Sequence, residues 1–486
     1  MKKIFINKGI DNKMKKLKQI TVLLIFFSSV LMAQSKVLTL DEAILTALDN
    51  NRDIKIALME IQKADAAVSE AFGYALPTVD LTANLTHFLE KPKTPFPDFM
   101  ALLTNATYNT LFDEGLLPRD ESKFLPMDTK LQSFAMTNSF EATAQVSQIL
   151  FNSAVFRGIG ASQIYLDLSK EQLKGTVSKT VLSVKQAFYG VLLTQNLLNI
   201  YEASLANAEE NLKLVQSMYK QGLVSEYDAL QVQVQVENIR PKVMELSNTL
   251  QNAKDGLKII LGLDQSEEVN VEGEFEYNPE ILPVAGELIE DAIQSNFDIN
   301  TLMIKRQVDE EFIALDKAEY WPTIAAFGQF NYAGSSNDWD FQTYNSSLVG
   351  LTFSMNLFQG TRTARKVEQS TIAVKQTDEQ ISQLKDYVAS QVRGKVLQLK
   401  KVEAQVAAVT SNVELAQKAY DISRTRYKEG TGTQLEIKNA DVELRTAKTN
   451  KLQAINEYII AKSELDNLLG RLDSKYLAHV QQQIEN

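Results

Sequence analysis

The segment YKQGLVSEYD at residues 219–228 recurs as YKEGTGTQLE at residues 427–436, 208 positions further along the chain. Gly222 and Gly430 occupy the same place in the two copies. A glycine at this point is typical of the left-handed cap that ends a helix. We therefore predict that a helix ends at each segment and that the chain then returns antiparallel to it. Two such turns predict two helical hairpins.

Apolar residues before each turn recur every three or four positions, as in a coiled-coil seam. In the first copy they are Leu198, Tyr201, Leu205, Ala208, Leu212, Val215 and Tyr219. The second copy repeats the same steps with Val406, Val409, Val413, Ala416, Tyr420, Ser423 and Tyr427, of which Ser423 alone is polar. A helix over 152–221 would be about 100 Å long at 1.5 Å per residue. We expect hairpins at 152–262 and 360–470, with Pro241 kinking or breaking the first return helix.

Other landmarks also occur twice and in the same order, which indicates an internal repeat. The pairs are Pro77–Thr78 with Pro322–Thr323, Leu150–Phe151–Asn152 with Leu357–Phe358–Gln359, and Leu261–Gly262 with Leu469–Gly470. The sequence predicts a first repeat over 34–263, an acidic linker over 264–284, a second repeat over 285–471 and a C-terminal tail over 472–486.

Four segments alternate apolar and polar residues, as strands with two different faces do. We expect these strands at about 75–87, 136–151, 322–333 and 345–358. In the first, Val79, Leu81 and Leu85 alternate with polar neighbours, and in the last the alternation extends through Leu357. Aromatic residues at both strand ends favour a wall between lipid and water. A soluble sandwich with one wet face is the alternative. The proline-rich segment 88–135 is predicted to be a long loop.

Four strands are too few to enclose a passage, because about eight are needed merely to fill a barrel with side chains. Unpaired edge strands are also prone to pair with other chains. The strands are therefore expected to be shared between copies in a cyclic oligomer, whose number of subunits these arguments leave open.

Residues 1–33 are predicted to be a signal peptide. Lysines precede an apolar run from Ile20 to Met32, which is shorter than the roughly 20 residues that span a bilayer as a helix. Met14 is an alternative start to Met1. Removal of this segment takes away seven Lys and one Asp and changes the net charge from −11 to −17. So acidic a chain repels phosphate backbones, and we expect no nucleic-acid partner.

The scarcity of Cys and His in the sequence argues against most kinds of catalytic site. The chain has no Cys and two His, so disulfides and clustered His or Cys metal sites are excluded. No pair of carboxylates stands out from the many surface Asp and Glu as a candidate for acid–base catalysis. We expect no cofactor, no metal and no enzyme activity.

Several of these segments together resemble the TolC-like outer-membrane efflux proteins. The resemblance rests on the opening TLDEAI at 39–44 followed by Asn50 and Asn51, the approaches to Pro77 and Pro322, and the turns at 222–228 and 427–430. It extends over essentially the whole mature chain.

The resemblance implies a mainly α protein with β structure, located in the cell outer membrane with a long periplasmic extension. Three protomers would share a twelve-stranded β-barrel in outer-membrane lipid, continued by helical hairpins as an α-barrel tube. Such proteins are passive exit ducts in efflux or type I secretion, together with a periplasmic adaptor and an inner-membrane pump of the RND or ABC type. A periplasmic coiled-coil adaptor or scaffold is the alternative, which explains the hairpins but not the strands.

The resemblance also assigns roles near the two turns. It implies that Glu436 and Asn439 lie at a periplasmic gate, and that Asp228 and Tyr427 tie neighbouring hairpins together. An arginine expected at Gly432 is absent. One acidic ring would remain at the gate, so we expect weaker cation block than two rings would give. The turn residues expected to contact the adaptor are Gly222, Leu223, Val224, Gly430, Thr431 and Gly432.

Simpler interpretations of these residues stay open from the sequence. Glu436 can be a solvated helix residue, and Tyr427 can serve packing alone. Asp228 can be a helix-start residue that the helix dipole favours.

Overall fold

A computed structural model of the chain describes residues 36–485. The predicted signal peptide lies outside this range. The chain divides into two compact units: one contains the described residues up to Ala67 together with Ser162–Glu310 and the residues from Thr371 onward, and the other contains Val68–Ala161 and Glu311–Ser370. In the described part of the chain, we find no helix with the length and apolar character needed to cross a membrane.

Helices make up most of the described chain, and two of them are very long. They are α1 (Leu40–Asn50), α2 (Arg52–Gly73), α3 (Phe99–Asp113), α4 (Ser153–Lys220), α5 (Glu226–Leu261), α6 (Ala285–Ser295), α7 (Phe297–Ala318), α8 (Arg362–Lys428), α9 (Gln434–Leu468) and α10 (Ser474–Glu485). The strands are β1 (Lys36–Leu38), β2 (Thr78–His87), β3 (Thr94–Pro97), β4 (Thr129–Gln132), β5 (Asn138–Asn152), β6 (Val269–Val271), β7 (Thr323–Ser336) and β8 (Gln342–Ser354).

The first unit contains two helical hairpins, α4 with α5 and α8 with α9, each with its own buried core. Phe188, Leu257 and Ile54 are fully buried in the first core. Leu399 and Leu465 are fully buried in the second. The same seam arrangement is thus used twice, as the internal repeat predicts.

The repeat extends to matching hydrogen bonds where each hairpin ends. The side chain of Asn51, between α1 and α2, donates to the carbonyl of Ile260 at 2.8 Å, and that of Asn296, between α6 and α7, donates to Leu468 at 3.0 Å. Each amide oxygen also accepts from the first turn of the helix that follows it. Gly262 and Gly470, both with positive φ, allow the backbones to approach closely at these points.

Pro241 does not break α5, contrary to expectation, because the helix is continuous from Glu226 to Leu261. Proline removes the hydrogen bond to the carbonyl four residues earlier. That carbonyl belongs to Glu237, and both residues are exposed, so water is available to replace the lost bond.

The second unit is organised around a four-stranded antiparallel sheet in the order β2-β5-β7-β8. Its register aligns mostly apolar residues in rows on one face. One row across the four strands is Val79, Val146, Gly328 and Val349, and the next begins with Leu81, Ala144 and Phe330. The other face carries Asp80, Gln145 and Gln329, also in one row. Within residues 36–485, the outer edges of β2 and β8 have no strand partner.

Strand β8 ends at Ser354, so Leu357 and Phe358 lie beyond it, and the strand expected at about 345–358 ends four residues earlier than predicted. The chain turns there into α8, with Gly360 and Thr361 both at positive φ. A backbone in this conformation cannot continue a strand.

Three regions predicted as loop, linker or tail contain regular structure. The segment after β2 holds α3 and the antiparallel pair of strands β3 and β4, which flank this helix in the chain. Strand β6 lies in the acidic linker and pairs in parallel with β1. The tail forms α10, in which Tyr476 and Val480 are buried and Tyr476 donates a 2.7 Å hydrogen bond to Asp41 of α1.

Candidate functional site

The turn between α4 and α5 is closed by local hydrogen bonds. Gly222 has φ +73°, and its N–H donates to the carbonyl of Tyr219 while that of Leu223 donates to Met218. Ser225 caps α5 in a capping box with Asp228, whose carboxylate accepts from the Ser225 hydroxyl at 2.6 Å and from its N–H at 3.2 Å. The Asp228 carboxylate therefore acts within its own turn, as the helix-start interpretation predicts.

The turn between α8 and α9 is built differently. Gly430 has φ +72°, and Thr431 donates its N–H to the carbonyl of Arg426 at 2.9 Å. The Arg426 guanidinium donates back to the carbonyl of Thr431 at 3.1 Å. A Cβ atom on Gly432 would lie 3.0 Å from the backbone nitrogen of Tyr427 and 3.1 Å from the Cβ of Arg426. A larger residue at 432 would have to displace this turn.

Glu436 forms an ion pair in its own turn. Its Oε2 lies 3.4 Å from Nη1 of Arg426, and both side chains are partly exposed. Thr433 caps α9 by accepting the N–H of Glu436 at 3.3 Å. Asn439 follows three residues later and is exposed. The two predicted gate residues thus lie near each other on the first turns of α9.

Tyr427 is half-buried, and its hydroxyl is buried without a hydrogen-bond partner in the described residues. It therefore makes no hydrogen bond to Asp228 within the protomer. Its ring packs against the buried cluster of Tyr420, Ile437 and Leu444. The packing interpretation accounts for these contacts.

The structure adds a buried carboxylate that the sequence analysis missed. Asp441 of α9 is 6% exposed and accepts hydrogen bonds from the hydroxyl of Ser204 on α4, at 3.0 and 3.2 Å, and from the amide of Gln235 on α5, at 3.4 Å. Nε of Arg445 lies 3.4 Å from the same carboxylate. Burial raises the pKa of Asp441, and the charge of Arg445 and the bond from Ser204 oppose this rise. The available signal was an acid within the buried stripe Ile437–Leu444.

A cavity of about 300 Å³ adjoins Asp441 between the two hairpins. Tyr420, Tyr427 and Asn211 line it together with Gln235. Among residues 36–485, no group of three or more His, Asp and Glu side chains is placed to hold a metal ion.

Apolar side chains are exposed at both turns. Leu223, Tyr227 and Leu230 are exposed at the first turn, and Leu435 is exposed at the second. Grouped exposed apolar residues favour contact with a partner. The ends of the hairpins thus combine exposed apolar side chains, a charged pair and a buried polar junction.

The profile of the outer membrane efflux protein family matches residues 120–263 and 288–471. TolC of Vibrio cholerae is 22% identical over 340 residues, which cover 68% of this chain and 76% of TolC. The alkaline protease secretion protein AprF of Pseudomonas aeruginosa is 22% identical over 341 residues, covering 69% of this chain and 70% of AprF.

Solved structures match over nearly the whole chain. The CmeC outer membrane channel of Campylobacter jejuni superposes with a TM-score of 0.70 at 14% identity, covering 92% of this chain and 89% of CmeC. The outer membrane protein VceC of Vibrio cholerae gives 0.65 at 14% identity, covering 89% and 96%. The predicted fold class, long helical hairpins with four strands, is therefore confirmed.

The family profile and the sequence relatives, together with this fold, identify the chain as an outer-membrane channel protein. The family match spans both repeats, and the chain belongs to the outer membrane efflux protein family. The predicted outer-membrane location and the predicted role as an exit duct are confirmed. The alternative of a periplasmic adaptor is not supported.

Proposed function

We propose that the protein works as a homotrimer in which each four-stranded sheet supplies one third of a closed twelve-stranded barrel. The observation that carries this proposal is the sheet itself, which has one apolar face and, within the described range 36–485, two edges without a partner strand. Pairing the β8 edge of one protomer with the β2 edge of the next would remove both edges. The apolar face would then contact lipid and the polar face would line the passage.

The turns at the ends of the hairpins are proposed to form the periplasmic gate. Three copies of Glu436 would meet around the axis, with Asn439 as a neutral ring beside them. Arg426 is 3.4 Å from Glu436 and compensates part of its charge. We therefore propose an acidic constriction that attracts cations more weakly than unpaired carboxylates would. The gate would open when the second hairpin moves away from the first.

The proposed partners are a periplasmic adaptor and an inner-membrane pump of the RND or ABC type. The exposed Leu223 and the adjoining Val224, Thr431 and Gly432 form the proposed adaptor contact. Helix-to-helix docking on apolar residues is a common mode of recognition. The pump would supply the energy and the duct would conduct passively, without catalysis. Efflux and protein secretion are both represented among the relatives' names.

Native mass spectrometry and planar-bilayer recording of the purified full chain test this proposal. We expect three copies per particle and small single-channel openings. Glu436→Ala should change block by divalent cations, whereas Glu443→Ala, a change at an exposed acid on the same helix, should not. A folded monomer, or a trimer that never conducts, would contradict the proposal.

A further inference from the structure

The two hairpins are joined near their turns by polar contacts, whereas each hairpin is held together internally by apolar ones. Ala208, Val236 and Ile239 form a buried cluster between α4 and α5. Tyr420, Ile437 and Leu444 belong to the corresponding cluster between α8 and α9. Between the hairpins lie the contacts of Asp441 and a 2.9 Å hydrogen bond from Asn211 to Gln434.

Asp441 is the centre of this junction because one carboxylate contacts both helices of the other hairpin. It lies seven residues, about 10 Å, into α9. Ser204 and Gln235, which donate to it from α4 and α5, are both buried. The carboxylate therefore fixes α9 relative to two helices at once.

The charged and titratable groups around Asp441 come mainly from its own hairpin. Arg445 and Lys448 of α9 favour its ionised form. Burial, and then the charge of Asp441, raise the pKa of the Tyr420 hydroxyl on α8. From the first hairpin, Glu210 of α4 acts on Tyr420, and Gln235 of α5 is neutral. The guanidinium of Arg445 also lies 5.4 Å from the ring centre of Tyr201 on α4.

The junction leaves buried polar atoms without hydrogen bonds next to a cavity. The cavity of about 300 Å³ lies beside Asp441 and is lined by Tyr427, whose buried hydroxyl has no partner within residues 36–485. In the same described part of the chain, the buried Nε2 of Gln434 also lacks a partner. Unpartnered buried polar atoms destabilise the joined state, and they gain hydrogen bonds when water enters. The apolar contacts within each hairpin gain no hydrogen bonds when water enters, so separating them is unfavourable.

We propose that Asp441 is the positioning residue that holds the second hairpin against the first and so sets how far the turns stand apart. This inference rests on the proposed gate at the turns. The resemblance implies that Asp228 and Tyr427 link the hairpins, and in this proposal Asp441 provides that link instead. Its counterpart in the first repeat, 208 residues earlier, is the exposed Gln233, so the contact belongs to the second hairpin only.

Thiol labelling of the full-length protein tests the proposal, since the chain has no cysteine of its own. A cysteine introduced by Ala208→Cys reports on the junction, because Ala208 is buried and lines the cavity. A cysteine introduced by Ala454→Cys reports on the core of the second repeat, which is distant from the turns in sequence. The probe is a hydrophilic maleimide, and the measurement is the rate of labelling in native protein.

Asp441→Ala should raise the labelling rate at position 208 about tenfold and leave the rate at position 454 unchanged. Asp421→Ala, which removes an exposed acid from α8, is the matched control and should change neither rate. Ser204→Ala should raise the rate at 208 less, and adding it to Asp441→Ala should have no further effect, because both changes remove one contact.

An unchanged rate at 208 in the Asp441→Ala protein would overturn the proposal. An equal rise at both positions would also overturn it, because the change would then be a general loss of packing. Labelling does not require conduction. A protein that labels as expected but forms no conducting trimer would refute the proposed gate and leave the role of Asp441 in the junction standing.

Discussion

Gly262 packs closely against the backbone of Asn50, whereas Gly222 faces open space. We therefore predict that alanine destabilises the fold more at position 262 than at position 222, although the two glycines have nearly the same conformation. Gly262 has φ +71° and Gly222 has φ +73°. A Cβ atom on Gly262 would lie 2.3 Å from the carbonyl oxygen of Asn50, whereas one on Gly222 would meet nothing within 4 Å. Gly222→Ala is therefore a matched control for Gly262→Ala, in which only the close approach differs.

The two changes should differ by about 1–2 kcal/mol in the free energy of unfolding. The left-handed conformation costs an alanine about 1–2 kcal/mol at either position. At Gly262 the Asn50 carbonyl must also retreat by roughly 1 Å to reach ordinary contact. That shift strains the neighbouring hydrogen bond from Asn51 to Ile260, which is worth about 1 kcal/mol.

The assay is the apparent midpoint of thermal unfolding of the purified protein at one fixed scan rate. For a chain of 486 residues, an unfolding entropy of about 2 cal/mol/K per residue makes 1 kcal/mol correspond to about 1 °C, so Gly262→Ala should unfold about 1–2 °C below Gly222→Ala. The second repeat provides an independent pair, because a Cβ on Gly470 would lie 2.1 Å from the Ser295 carbonyl oxygen and one on Gly430 would meet nothing. Equal midpoints within each pair would refute the reasoning that these glycines are required by close approach.

Three further predictions concern single contacts. Burial raises the pKa of Asp441 above its ordinary value of 3.8, so the stability that its protonated form contributes is complete below that value and is lost as the pH rises through the raised pKa. Asp441→Asn, which cannot ionise, should therefore remove this fall of the unfolding midpoint with rising pH. Tyr476→Phe removes the 2.7 Å hydrogen bond to Asp41 and should weaken the packing of α10 by about 1 kcal/mol. The measurement is the rate of proteolysis at the C-terminus, which should rise. Tyr344→Phe, at an exposed tyrosine, is the control and should leave this rate unchanged. Arg426→Ala leaves the Glu436 carboxylate unpaired and should strengthen cation block in planar bilayers, and unchanged block would place Glu436 away from the constriction.

The long elements were predictable because their signals repeat many times. The seam before Tyr219 recurs before Tyr427, and the glycines that end each helix stand 208 residues apart. Each seam residue adds to the same conclusion, so a single exception changes little. Pro241 shows this well, since one lost hydrogen bond on an exposed face does not outweigh the buried seam of α5.

The short elements and the buried junction were not predictable in the same way. Strand β6 has three residues and exists because β1 lies beside it, which is a contact 233 residues away in sequence. Asp441 could have been noticed as an acid in an apolar stripe. Its partners Ser204 and Gln235, however, lie on two other helices, and only the packing of the hairpins brings them together.

The carboxylates at the two turns show how one repeated fold acquires different properties at its two ends. Asp228 and Glu436 are equivalent, since they stand 208 residues apart and each is three residues past its helix cap. The shorter Asp228 closes a capping box on Ser225, so its charge is used by its own helix.

Glu436 lies within reach of Arg426, whose counterpart in the first repeat is the uncharged Met218. The carboxylate of the second turn is therefore paired with a cation across its own turn, a partner that the first turn lacks. If this ion pair is what makes the second hairpin the gating one, Met218→Arg together with Asp228→Glu, which gives the first turn the same two residues, should change cation block in planar bilayers. Unchanged block would refute that role for the ion pair.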